Sequence, residues 1–205
     1  MLVLRRLLLS MMLLSVPVSE TAAHSLRAPR DTSGISIPSL SHGQMEVVAR
    51  HREEIHALAS WVAVKDAEIR KLLAFSRTQF ARCLWGLMPF SIQDEASPMN
   101  ECSHAYLAAD RAMLVRMRDL PFWQDRSRSL FDVVDKEMVE EGASLVLCIF
   151  SATDFNTASP VGPDWHDFIA HRPSLIVILL AGGTVMAVLA LGTWTVFRRP
   201  RLAAA

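Results

Sequence analysis

The sequence predicts an all-α protein: a bundle of three or four helices held outside a membrane and carried on one C-terminal transmembrane helix. Three observations predict it. Leu175–Phe197 is 23 residues without a charge. Apolar residues between Ser41 and Met138 recur at helical rather than alternating spacing. The first 25 residues carry the parts of a secretory signal.

Arg5 and Arg6 make the positive start of that signal, Leu7–Leu14 extending to Val18 its apolar core, and Ser19–Ala23 its small-residue end. Thr21 and Ala23 fit the −3 and −1 positions for cleavage before His24, and a cut after Ser25 is the close rival. About 12 apolar residues are short for a bilayer crossing, which argues against an uncleaved anchor. Residues 1–23 are therefore expected to be removed.

Residues 24–41 hold Pro29, Ser33, Gly34, Pro38 and Ser39 without periodicity, and read as a flexible leader. Residues 42–150 read as the helical ectodomain. Val48, Ile55, Val62 and Ile69 recur every seven residues, with Leu58 and Leu72 between them, predicting one long amphipathic helix from near Ser41 to at least Phe75, or as far as Leu87. His51 and Lys65 interrupt its apolar seam, which favours packing within the domain over a free coiled coil. Pro89 ends this element. Ser97–Pro98 opens a second helix whose inward face is Met99, Cys102, Tyr106, Met113, Met117 and Leu120, stopped by Pro121. A third starts near Asp125 or Ser127, turns Leu130, Val133, Val134 and Met138 inward, and meets a breaker at Gly142. Leu145–Phe150 fits a further helix or a buried strand. Residues 151–174, rich in Ser, Thr, Asn, Asp and Pro, read as a stalk.

Leu175–Phe197 spans about 34 Å as a helix, enough for the hydrocarbon core with some tilt. Pro173 precedes it, and Arg198, Arg199 and Arg201 follow it. Trp194 stands near the basic end, where an indole favours the interface. The arginines place residues 198–205 in the cytosol, and the signal places the ectodomain outside. A C-terminal sorting signal removed after export is the alternative, but no recognition motif precedes Pro173. Gly182, Gly183 and Ala187 leave one face of the span small, without GxxxG spacing.

The formal charge of zero is a sum of unlike parts. From His24 to Arg172 there are 16 Lys and Arg against 20 Asp and Glu, so the ectodomain carries about −4 and no basic stripe. That argues against nucleic acid as a partner.

Three cysteines in an exported domain imply oxidation with one left over. Cys83 near the end of the first helix and Cys102 near the start of the second flank the Pro89 turn, and a bridge would staple two antiparallel helices. Cys102–Cys148 is the rival pairing. The seven histidines form no ligand set. His51 and His56 are five apart, nearly opposite on a helix, and His51–His56 ("HREEIH") lacks the four-residue spacing of zinc proteases. His166 between Asp164 and Asp167 reads as surface. Glu53–Glu54 and Glu140–Glu141 are adjacent and point apart. No nucleophile elbow or glycine-rich phosphate loop is present, so neither an enzyme nor a cofactor is expected.

Met99–Leu114, "MNECSHAYLAADRAML", resembles the opening motif of the LprI-like family of small exported helical domains, with its Met-Asn-x-Cys start followed by Tyr and Ala-Asp. Asp135–Met138, then Gly142–Ser144, Cys148 and Thr153, resemble that family's later series. The family includes a mycobacterial lysozyme inhibitor, so the resemblance implies a binding domain of the cell envelope. Met138 stands where the family has a cysteine, which leaves Cys148 without its family partner, and no lipobox cysteine follows the signal. The expected partners are the lipid bilayer and a protein. The expected function is binding in the envelope, inhibition included, with a structural subunit of a membrane complex as the alternative.

Overall fold

The computed structural model describes residues 31–121, 124–140 and 154–202. The signal segment, Gly142, Leu145–Phe150 and Cys148 lie outside the described residues. Among the described residues the chain is mostly helical: α1 (His42–Val62), α2 (Ala67–Arg82), α3 (Asn100–Asp119), α4 (Gln124–Glu140) and α5 (Arg172–Leu202), with two short strands, β1 (Ser36–Ile37) and β2 (Phe155–Asn156).

Local chemistry sets the first boundary. The Ser41 hydroxyl accepts from the Gln44 amide, and the Gln44 side chain accepts from the Ser41 amide, a reciprocal cap on two otherwise free donors. The expected long helix then divides. Ala63–Lys65 forms a turn, and the Asp66 carboxylate accepts from the Ile69 amide at 2.8 Å to start α2. Contacts between His56 and Ser76, Ser60 and Arg77, and Ala63 and Arg70 close toward this turn, so the chain doubles back. Arg70 donates to the Ala63 and Val64 carbonyls, satisfying acceptors that the end of α1 leaves free. Lys65, placed by the seven-residue pattern in a seam, sits in the exposed turn instead.

α2 ends at Arg82, earlier than Pro89 requires. Leu84, Trp85, Gly86 and Phe90 all have φ between 53° and 65°, and a run of left-handed residues cannot continue a right-handed helix.

α3 is the centre of the core. Every residue from Cys102 to Asp110 is buried. Ala105, Ala108 and Ala109 keep its surface small, so α1 and α2 pack on one side and α4 on another. The inward residues named above hold except Leu120, which is half-buried. On α4 the buried stripe is Ser127, Phe131 and Val134, with Leu130 and Met138 partly covered. Val133 falls off this stripe and is exposed, contrary to expectation.

The segments expected as leader and stalk are, where described, part of the fold. Ser36 and Ile37 pair antiparallel with Asn156 and Phe155, and Ile37, Leu40, Phe155 and Val161 are all buried. Gly34 is needed here: a Cβ would collide with the side chains of Asn156 and Thr157, whose oxygens accept from the Gly34 and Ile35 amides. Ser, Thr and Asn in these segments thus complete backbone hydrogen bonds rather than solvate a tether.

α5 extends beyond the expected 175–197 at both ends. Its Arg172–Thr195 part is long and apolar enough to cross a membrane; Ser174 and Val177 at its root are covered by the rest of the chain, and from Ile178 to Thr195 it is exposed.

Candidate functional site

Three places on this scaffold bring chemistry-bearing side chains together. The first is the base of α3. Cys83 caps the end of α2, Cys102 lies in the first turn of α3, and their sulfurs stand at disulfide distance with Cα atoms 5.7 Å apart. Both are buried, so this junction is structural rather than open to a substrate. The Gln79 side chain lies over it, accepting from the Val161 amide at 3.1 Å and donating to the Val161 carbonyl. That exchange pins the segment before α5 to the α2–α3 junction.

The second is a polar centre that the periodicity does not reveal. Asp110, with no exposed surface, faces His56 and Ser76 from Oδ1, at 2.7 and 2.5 Å, and Arg52 from Oδ2, at 3.2 Å. Arg52 also lies 3.6 Å over the Phe80 ring, a desolvated cation–π contact. Ser, His and Asp meet here, but not as a nucleophilic triad. That chemistry needs the base to take the serine proton through one ring nitrogen while the carboxylate holds the other. Here His56 Nε2 faces both Asp110 and Ser76, and the buried Ser76 hydroxyl donates directly to the carboxylate. The arrangement locks α1, α2 and α3 together around a paired buried charge. Its only sequence signal is the Ala109–Asp110 pair, a carboxylate among small apolar residues.

Beside it, the His104 and His42 rings pack 5.3 Å apart. Burial, and then the neighbouring His42, hold the His104 pKa down to about 3, so this imidazole stays neutral. His51 pairs with Glu137 at 3.0 Å, and His56 with Asp110, so the two histidines serve different carboxylates, in keeping with the spacing. The Arg50 and His51 hydrogen bonds hold the Glu137 carboxyl below its usual range. His166 is exposed next to Asp167. Among the described residues no group of three or more His, Cys, Asp or Glu side chains could hold a metal ion.

The third place is where α5 begins. His171 Nε2 lies 3.0 Å from Asp94, and its Nδ1 lies 2.7 Å from the Ser174 hydroxyl. The Asp164 amide donates to the Pro98 carbonyl. Met88, Met99 and Phe168 form a small buried cluster against which Leu84 and Val177 pack. The root of α5 is therefore held against the loop that joins α2 to α3.

No protein-family model, curated protein or solved structure matches this chain. Its own residues carry the functional reading.

Proposed function

We propose that this chain is an exported, single-pass, membrane-anchored binding protein of the cell envelope, inhibition of its partner included. In this reading residues 42–150 form the core of a helical-bundle ectodomain on the outer side, α5 crosses the bilayer, and Arg198, Arg199 and Arg201 keep the tail in the cytosol. The observation that carries it is α5: 31 residues in one helix, with a 24-residue apolar part that is exposed from Ile178 to Thr195. In water such a surface is costly, and in lipid it is favourable.

Binding rather than catalysis is favoured by how the polar groups are used. The Asp110 Oδ1 oxygen, His56 and Ser76 are engaged with one another between α1, α2 and α3 rather than turned toward a cleft. A shallow groove of about 540 Å³ between α2 and the strand pair offers Lys71, Thr78 and Thr157 as polar contacts. The resemblance of Met99–Leu114 to the LprI-like domains supports the same reading.

One observation favours the alternative of a structural subunit. Gly182 and Gly183 are open, with room for another helix to approach the backbone closely. Cross-linking in intact cells, followed by purification in mild detergent, tests both. A protein captured through the ectodomain supports the binding role. A stoichiometric membrane protein captured through α5 supports the subunit. Quantitative release of the chain from membranes by alkaline carbonate, without detergent, would overturn the anchored reading itself.

A further inference from the structure

We propose that the base of the ectodomain is itself a lipid-docking surface, in which Trp85, Leu87, Phe90, Trp165 and Ile169 enter the headgroup–acyl boundary of a zwitterionic bilayer. The proposal rests on the reading of α5 as the membrane span. The five side chains are 57% to 74% exposed. Single exposed apolar residues are ordinary, but five large ones in two segments that meet at the root of an apolar helix form a patch.

Contacts already described join the two segments. Trp85, Leu87 and Phe90 belong to the loop that carries Leu84 and Met88 into the small buried cluster. Trp165 stacks on Phe168 of the same cluster at 5.5 Å, and Ile169 follows it. His171 to Asp94 and Asp164 to Pro98 tie the segments again on either side. Left-handed backbone at Trp85 and Phe90 accompanies their outward placement, while Met88 between them is buried. Bulky residues adopt that backbone at a cost, and such strain gathers at working surfaces.

Depth identifies the occupant. Val177, which packs on the cluster, lies inside the uncharged stretch Leu175–Phe197. The α5 helix is about 46 Å long, against about 30 Å of hydrocarbon and 40–45 Å with headgroups. Its second turn therefore lies at or just below the outer interface, and the patch packed around it stands at the same depth. Tryptophan is the side chain that favours this layer. Asp94, Glu95, Asp164 and Asp167 outnumber Arg172 nearby, so anionic headgroups are not what the patch selects.

The test uses the full chain in phosphatidylcholine vesicles, with acyl chains brominated or not. Of the five tryptophans, W61F/W123F/W194F retains Trp85 and Trp165. The expected result is emission shifted to shorter wavelength and quenched by brominated lipid. A variant retaining only Trp61, at the far end of the domain, stays unquenched. A variant retaining only Trp194 reports the span separately. Quenched Trp194 with unquenched Trp85 and Trp165 would overturn the docking surface while leaving the span intact. Unquenched Trp194 would overturn the span reading and the docking surface with it. Blue-shifted but unquenched Trp85 and Trp165 would mean that protein, a second copy or a partner, covers the patch, and would also overturn the proposal. If the triple substitution does not fold, loss of lipid-quenched emission in W85F/W165F, relative to the native chain, reads the same contact.

Discussion

The two ends of α3 close in opposite ways. At its C-terminal end charge does the work: Arg116 reaches Asp66 and Glu68 at 3.3 and 3.2 Å, and Arg70 donates to the Ala63 and Val64 carbonyls just after α1. At its N-terminal end the closure is apolar, with two cysteines at disulfide distance. Cys83 meets Cys102, Met88 and Met99 pack on Phe168, and left-handed residues replace a regular turn. Half-exposed ion pairs contribute little each and weaken with salt, whereas a cross-link acts at any ionic strength. The end that meets the root of α5 is thus closed by apolar packing and the paired cysteines rather than by surface ion pairs.

Substitutions at four places test that contrast. The largest effect is expected midway between the ends. Asp110→Ala leaves the half-buried Arg52 without its carboxylate and Ser76 and His56 without their shared partner, and should cost about 3 kcal/mol, seen as a lowered denaturant midpoint with both ends losing protection together. Next, Cys83→Ser with Cys102→Ala opens a closure spanning 19 residues and should cost about 3 kcal/mol. Hydrogen exchange should then rise first in residues 84–99, while the Asp66 end stays protected.

The pH dependence comes from His104. Its folded pKa of about 3 lies below the ordinary 6.5, so between those values the unfolded chain binds the proton first. Stability is therefore full above about pH 6.5 and falls as pH drops toward 3, by about 1.4 kcal/mol per pH unit. Thermal melts across that window should show the slope, and His104→Gln should flatten it. The smallest effect is expected at the charged end. Asp66→Ala removes the α2 cap and one Arg116 partner and should cost about 1 kcal/mol, with faster amide exchange at Ile69 and little change near Cys83.

The sequence shows helices better than it shows how they turn. Val48, Ile55, Val62 and Ile69 are all fully buried, yet the spacing runs through a hairpin. Four link residues stand in for about one helical turn, so the seven-residue count survives the break. Asp66 before Ala67–Glu68 is the legible signal of a new start. The proximity of Cys83 and Cys102 is legible because a short link between helices keeps its two ends close. Two things are hidden for physical reasons. A helix buried on all sides can carry Asp110 because its partners His56, Ser76 and Arg52 come from other helices, and a one-dimensional pattern does not show those partners. The β1–β2 pairing is two residues long and joins positions 36 and 156, too little alternation to register as strand.

The position of α5 across a membrane decides where the ectodomain lies. With a short epitope added at the C-terminus, protease applied outside sealed cells or spheroplasts should degrade the ectodomain and leave one small tagged fragment containing α5 and residues 198–205. A full-length tagged chain that survives until detergent is added would place the ectodomain inside and contradict it.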